Sequence, residues 1–459
     1  MPLNSISPID GRYAKNTEPL SAFMSEQALM KYRLMVEGEY FIALSDLKLF
    51  RKLSGKEKDV VRSLYELEDS DAKIISDIEI RGYKDIKATD HDVKAVEYYI
   101  KDRLGETSLK DALEWVHFAI TSEDTNNIAY ALMLSDSLQK VLIPKIEEVV
   151  SGLDALSKKY KDLPMLARTH GQSASPTTFG KEMRVFSSRV EKRLEGLKSI
   201  RIQAKLNGAT GNYNAHVAAF PKVNWMAFSK KFIDGFNKNR TQKLEANLVT
   251  TQIECHDNYV AVFDTIRSIN TILLDLNQDM WRYISDDWVV QKPAEGTVGS
   301  STMPHKINPI KFENSEGNLG MANSMFEFFA RKLPVSRLQR DLSDSTVARN
   351  FGSAFAHSLV AYEYLLKGLR MISINEDKIK EELRNHPEVI AEAVQTILRR
   401  EGEKMPYEKL KKLTRGKKIT LTDIHDFIKS LQISDKVKRE LLKITPENYT
   451  GLASKLASK

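Results

Sequence analysis

Apolar residues recur at alternating spacings of three and four along five stretches of this chain. In the longest, Tyr259, Val262, Ile266, Ile269, Leu273, Leu276, Met280 and Tyr283 share one helical face, the seam of a long helix packed in a bundle. Leu142, Ile146, Val149, Leu153 and Leu156 make a second seam, and Phe179, Met183, Phe186, Val190, Leu194 and Leu197 a third. Leu319, Ala322, Phe326, Phe329 and Leu333 form the fourth; Val347, Phe351, Ala354, Ser358, Ala361 and Leu365 form the last. Together they predict an all-α chain built on a long central helical bundle. Pro144 falls inside the second seam, which continues past it, so a kink is expected there. Ala354, Ser358 and Ala361 are small enough for close helix contact, and stripes this long on several helices point to self-association.

The flanks are patterned differently. Before about residue 110 the register changes often, with turn chemistry at Pro8 to Gly11, Ser54-Gly55 and Arg81-Gly82. After about residue 368 the helical patterns shorten and Lys and Glu multiply, through Pro387, Pro406 and Gly416. The expected division is an N-terminal helical domain over 1–111, the central bundle over 112–368 and a C-terminal helical domain over 369–459. No strand-rich segment or glycine-rich nucleotide turn is visible.

Composition narrows the function without naming it. One thiol, Cys255, leaves no internal disulfide and suits a reducing cytoplasm. Met1 to Tyr13 lack the basic start and apolar run of a secretory signal, and no apolar run reaches membrane-spanning length, so no membrane is expected. The net charge of +7 would attract nucleic acid, membrane surfaces or small polyanions alike. The densest basic stretch, Arg399 to Lys418, also holds Glu401, Glu403 and Glu408 and lacks an aromatic ladder for stacking bases. It reads as a solvated helical face, and no nucleic-acid partner is expected.

Four polar islands interrupt the seams: Asp90-His91-Asp92-Val93-Lys94, Thr121-Ser122-Glu123-Asp124, Arg168-Thr169-His170-Gly171-Gln172, and Gly299 to Pro309. Each is expected at or near a helix end, where free N–H groups favour anions. His170 is the obvious titrating group, with Gly171 allowing close backbone approach; a structural histidine tied to a carbonyl is the alternative. Thr121 to Asp124 doubles as an ordinary helix cap. Arg337, Arg340, Ser345 and Arg349 can hold a phosphate, or pair with Asp341 and Asp344.

The fourth island has neither helical nor strand period, and Pro293, Gly296 and Gly299 upstream of it favour a loop that can move. Lys306 can meet a carboxylate, Asn308 can donate to the same anion, and Ser300 and Ser301 offer hydroxyls for proton exchange. Scattered histidines and one cysteine build no metal site, and there is no Gly-x-Ser-x-Gly elbow. Proton transfer between side chains, with no cofactor, remains.

These residues carry a resemblance. Gly299 to Pro309 resembles the signature loop of the fumarase and aspartase superfamily, whose members break C–N or C–O bonds and release fumarate. With His305 and the run Lys306 to Leu319 it is similar to the bacterial purine-synthesis branch of that superfamily. The likeness includes Ser7 to Tyr13, His91 to Tyr98, Thr121 to Asp124, Arg168 to Gln172, Gly211 to His216 and Thr251 to Glu254. It implies an all-helical, three-domain subunit whose central bundle forms a homotetramer, each active site drawing on three chains. It implies small-molecule substrates: adenylosuccinate, cleaved to AMP and fumarate, and SAICAR, cleaved to AICAR and fumarate.

By position, the resemblance makes Ser300 the general base and His170 the general acid. Arg12, Tyr13, Arg340, Ser345 and Arg349 fall at the nucleotide end, and His91 and Asp92 line the pocket. Thr121, Ser122, Ser301, Lys306 and Asn308 face the succinyl carboxylates, with Gln252 and Asn314 completing the shell. Two residues depart from the pattern: Cys255 stands where proline is expected, and Asp90, beside the anion site, where an uncharged polar residue is usual. Other members of the superfamily share the architecture, but Arg12-Tyr13 and Arg340 to Arg349 speak against those with small substrates. A non-catalytic helical scaffold that binds RNA is the reading of another class, and the set Ser300, His170 and Lys306 weighs against it.

Overall fold

Local signals set the first six helices of the computed structural model, which describes residues 4–292, 303, 305–416 and 419–459. Helix α1 (Ala14–Met24) leads to α2 (Glu26–Asp46), where the Ser25 hydroxyl accepts from the Ala28 N–H at 3.1 Å. Ser54 and Glu57 form a capping box at α3 (Gly55–Ser63), satisfying two otherwise orphaned N–H groups. Next come α4 (Asp69–Ile80), α5 (Asp92–Gly105) and α6 (Ser122–Ser137). Leu34 and Phe41 of α2, Ile75 and Ile78 of α4, and Val96 and Ile100 of α5 close one buried apolar cluster.

The helical path does not stop at Pro144. A π turn, Leu138–Leu142, joins α6 to α7 (Ile143–Lys159). The irregularity expected from proline thus precedes the ring, as an inserted residue in the ladder. Beyond α7, strands β1 (Pro164–Thr169) and β2 (Gln172–Thr178) pair as an antiparallel hairpin, followed by α8 (Phe179–Ser199). Strand β3 (Ile202–Ala204), α9 (Asn214–Ala219), α10 (Trp225–Gly235), β4 (Leu244–Ala246) and α11 (Asp257–Ser285) follow, with β3 and β4 parallel. Strand β5 (Val289–Gln291), α12 (Ile310–Lys332), α13 (Ser343–Ala348), α14 (Phe351–Arg370) and β6 (Ile372–Ile374) complete the middle, β5 and β6 pairing antiparallel. The last helices are short: α15 (Glu376–Arg384), α16 (Ala391–Arg400), α17 (Pro406–Thr414), α18 (Leu421–Ser430), α19 (Asp435–Leu441) and α20 (Ala453–Ala457). The fold is all-α in character, with three two-stranded sheets among the described residues. No helix among the described residues is long and apolar enough to cross a membrane.

The predicted seams are buried. Every seam position of α8 and of α12 is buried, as is that of α11 from Tyr259 to Met280. The last seam is buried too but does not run along one helix, because Val347 lies in α13 and the chain leaves the helix at Arg349 and Asn350 before α14 begins. Ser358 and its small neighbours are covered within the chain: Asn270 of α11 donates to the Ser358 hydroxyl at 3.1 Å.

Two compact units emerge. One comprises Met1–Ile146, Arg193–Thr271 and Gly317–Glu363; the other comprises Glu147–Lys192, Ile272–Glu316 and Tyr364–Lys459. Each boundary falls inside one of the long helices α7, α8, α11, α12 and α14.

In the first unit a buried ion pair anchors the start of α6. Lys205 Nζ lies 2.8 Å from Asp124 Oδ1, and neither side chain is exposed. Asp124 also accepts from the N–H groups of Thr121, Asn207 and Gly208 at 2.9, 3.0 and 3.1 Å. Asn127 grips the Lys205 backbone on both sides, donating to its carbonyl at 3.1 Å and accepting from its N–H at 2.7 Å. Nearby, Gly211 has φ of +80°, and a Cβ there would stand 2.2 Å from the Thr250 carbonyl oxygen, so only glycine fits. Removing one partner of a buried pair strands the other charge, at a cost of about 3–5 kcal/mol. Lys205→Met is expected to lower stability to urea by that order, and an unfolding midpoint equal to the wild type would refute the anchoring role.

Candidate active site

Two helix starts carry the first two islands. His91 is the N-cap of α5, its Nδ1 accepting from the Lys94 N–H at 3.2 Å. That bond leaves the proton of the neutral ring on Nε2, which faces the Ser122 hydroxyl at 3.4 Å. Thr121 caps α6, so Ser122 occupies its first turn. His91, thirty residues before Thr121, thus joins it and Ser122 at the edge of two N-termini whose N–H groups favour anions.

Guanidinium groups surround the same place. Arg33 of α2 is buried, reaching Asp92 Oδ2 at 2.6 Å and Asn126 Oδ1 at 2.9 Å. Arg349 meets the same Asp92 oxygen at 2.6 Å and Glu26 at 2.7 Å. Burial alone would raise the Asp92 carboxyl, but Arg33 and Arg349, with the Val93 N–H, hold it below the usual range. The side chain of Arg33 is 3% exposed and that of Arg349 35%, so Arg349 is the cation an incoming anion can reach.

A third guanidinium lies on buried acid. Arg340 Nη2 is 3.1 Å from Glu123 Oε2, its Nη1 donates to Gln252 Oε1 at 3.3 Å, and Asp344 is 4.0 Å from its Nε. Gln252 in turn donates to the Ala209 carbonyl at 2.8 Å. Burial pushes Glu123 up to about 7; Arg340 opposes the shift and Asp344 adds to it. Ser345 and Asn126 help line the small cavity beside Glu123. Exposed Arg337 instead pairs with Asp341 at 3.2 Å, the alternative the sequence left open.

The remaining residues of this unit lie at its surface. Arg12 is exposed and Tyr13 is the N-cap of α1. Asp90 is exposed with φ of +47°, its N–H donating to Glu79 at 2.9 Å.

In the second unit the third island is not at a helix end. His170 and Gly171 form the two-residue turn between β1 and β2, with φ of +53° and +72°. Two positive φ values match the right-handed twist of a hairpin, and this explains the glycine. The turn leaves His170 exposed, while Arg168 below it is paired with Glu382 at 2.7 Å and lies over the Trp288 ring at 5.6 Å. Lys306 and Asn308 precede α12, where the Ile307 carbonyl accepts from Gln291 at 2.7 Å, and Asn314 lies in its first turns. Ser300 and Ser301 lie outside the described residues.

Sequence reasoning missed Arg33, whose signal is a charge embedded in the apolar run of α2, and Lys205, which carries no motif. Among the described residues no cluster of His, Cys, Asp or Glu is arranged to hold a metal ion.

Two solved structures share the fold over 96% of this chain: a fumarate lyase from Mesorhizobium sp. BNC1 (TM-score 0.73, 17% identity, 96% of its chain) and a 3-carboxy-cis,cis-muconate lactonizing enzyme from Pseudomonas putida (0.70, 16%, 95%). The Lyase family model matches residues 11–323 and the adenylosuccinate lyase C-terminal model residues 336–450. The chain is 47% identical to the adenylosuccinate lyase of Legionella pneumophila strain Corby, over 99% of this chain and 98% of that one. Those of Dictyostelium discoideum and Escherichia coli K12 are 47% and 42% identical, each over 98% of this chain and 97% of the relative. The chain belongs to the adenylosuccinate lyase family, C–N lyases of the fumarase and aspartase superfamily.

Glu123 gives this site a pH signature. Between 4.5 and about 7 the folded chain keeps a proton on Glu123 that the unfolded chain has released, so this group lowers stability as pH rises through that window. Glu123→Gln removes the titration. Urea midpoints at about pH 5 and about pH 8 should show a smaller fall with rising pH in the variant than in the wild type; identical pH dependence would refute the assignment.

Proposed function

We propose that this chain cleaves adenylosuccinate to AMP and fumarate, and SAICAR to AICAR and fumarate, by β-elimination without a cofactor. The observation that carries the proposal is 42–47% identity with adenylosuccinate lyases over 98–99% of the chain. The Arg340 and Arg349 region supports it, because a nucleotide phosphate needs cations that a small dicarboxylate substrate would leave unused.

Ser300 removes the proton beside a succinyl carboxylate and His170 protonates the departing nitrogen. Loss of that proton creates a doubly charged intermediate, which Lys306, Asn308, Ser301 and the N-terminal groups at Thr121 and Ser122 stabilise. A serine hydroxyl is a weak base, so Ser300 needs neighbouring cations and N–H donors to favour its alkoxide. The exposed imidazole of His170 can reach a bound substrate and carries a ring N–H of the kind that serves as a general acid. Arg12, Tyr13, Arg340, Ser345 and Arg349 take the nucleotide end, with Asp90, His91, Asp92, Gln252 and Asn314 around the rest.

The working form is a cytoplasmic homotetramer of three-domain subunits, each site drawing on three chains. Val185, Trp281, Met321 and Phe328 support assembly, as large apolar side chains left exposed on α8, α11 and α12. Purified protein incubated with adenylosuccinate, without added metal, is expected to yield AMP and fumarate in equal amounts; absence of either product would refute the activity. Ser300→Ala and His170→Gln should each lower turnover by about a hundred- to ten-thousandfold with the tetramer intact by light scattering, and near-normal rates would remove the residue from its role. Arg349→Ala should mainly weaken AMP binding by calorimetry, and an unchanged affinity counts against it.

A further inference from the structure

Helix α2 has two working faces. Arg33 and Glu37 turn toward the buried polar groups of α5 and α6, whereas Lys31, Met35, Glu39, Ile42 and Asp46 follow a three-and-four spacing along the opposite face. That second face walls a groove of about 830 Å³, within the roughly 300–1,000 Å³ of small-molecule sites. The facing wall is α10 and the residue after it. Phe228 and Phe232, both largely buried, lie nearly parallel at 6.1 Å, and Phe236 stands edge-on to Phe232 at 5.2 Å, making this wall aromatic.

Two glycines shape the groove at a cost in helix propensity. Within α2, a Cβ on Gly38 would come 2.4 Å from the Tyr65 hydroxyl, so its absence lets Tyr65, a groove residue, lie against the helix. At the end of α10, a Cβ on Gly235 would meet nothing within 4 Å, so the groove is open there. Most of the lining charges are already neutralised. Arg62 pairs with Glu39 at 2.8 Å, Arg240 with Asp136 at 2.9 Å and Asp46 with Lys58 at 2.6 Å. Among the described residues no ion pair engages Lys31, Lys231 or Glu66, so two ammonium groups face one carboxylate and the unpaired charge favours an anion.

We propose that this groove binds a small aromatic anion, its ring against the aromatic wall of α10 and Phe236 and its acidic group drawn by Lys31 and Lys231. The groove lies on the face of α2 opposite Arg33 and Glu37, apart from the α5 and α6 helix starts.

The test titrates the purified full-length chain with 8-anilinonaphthalene-1-sulfonate, an aromatic anion, and with the neutral N-phenyl-1-naphthylamine, following fluorescence and equilibrium dialysis. The expected result is saturation at one sulfonate per chain, with the neutral dye bound at least about tenfold more weakly. Gly235→Trp, which fills open space at a helical position, should abolish binding while leaving fumarate release unchanged. Lys31→Glu with Lys231→Glu should weaken binding about tenfold or more and covers the case in which the Trp variant folds poorly. Equal affinity in wild type and variants overturns the proposal, as does equal affinity for the two dyes. A change in assembly mass on Gly235→Trp would show a second copy in the groove and overturn it too.

Discussion

Lys205 and Asp124 meet with neither side chain exposed, and the geometry of the first unit's site depends on that contact. A carboxylate taken out of water must be matched donor for donor. Asp124 is matched by an ammonium and three backbone N–H groups, one of which is its own helix's cap. The start of α6 is therefore fixed to the segment after β3, and Thr121 and Ser122 inherit its position. Close packing at Gly211 against the Thr250 carbonyl leaves the adjoining loop little room to drift.

Charge above this anchor is arranged in graded exposure. Arg33, wholly buried, orders Asp92, and Asp92 then holds the half-exposed Arg349. Arg340 is placed by Glu123 and Gln252. Each reachable cation thus has a less reachable acid behind it, which pre-orients the guanidinium and lowers the ordering cost when an anion arrives. The same acids compete with that anion, so the site trades some affinity for position.

The bundle was legible because burial on a helix leaves a periodic trace, and α8, α11 and α12 bury the seams read from their sequences. The seam beginning at Val347 misled because its spacing runs through Arg349 and Asn350, where the backbone leaves the helix; periodicity registers faces and is blind to a short break in phase. The island of His170 was misplaced as structure, expected at a helix end and found in a hairpin turn. Its Gly neighbour signals positive φ, which a hairpin turn and a helix end both use. Arg33 and Lys205 escaped because a buried charge looks, in one sequence, like any surface charge until its partner is known. The loop of Ser300 gives the opposite case: its composition announces a function, while those residues lie outside the described structure.

Division of the chain inside five helices has a biosynthetic corollary. Each unit is stitched from three separate stretches, the first drawing on residues as late as Glu363 and the second on the C-terminal Lys459. Neither can be cut out as one continuous fragment. The apolar cluster of α2, α4 and α5 lies wholly within the Met1–Ile146 stretch, whereas the rest of the first unit waits for residues as late as Glu363. Such wide sequence separation slows folding and favours aggregation at the intermediate stage, which makes shielding of the nascent chain part of this architecture's requirements.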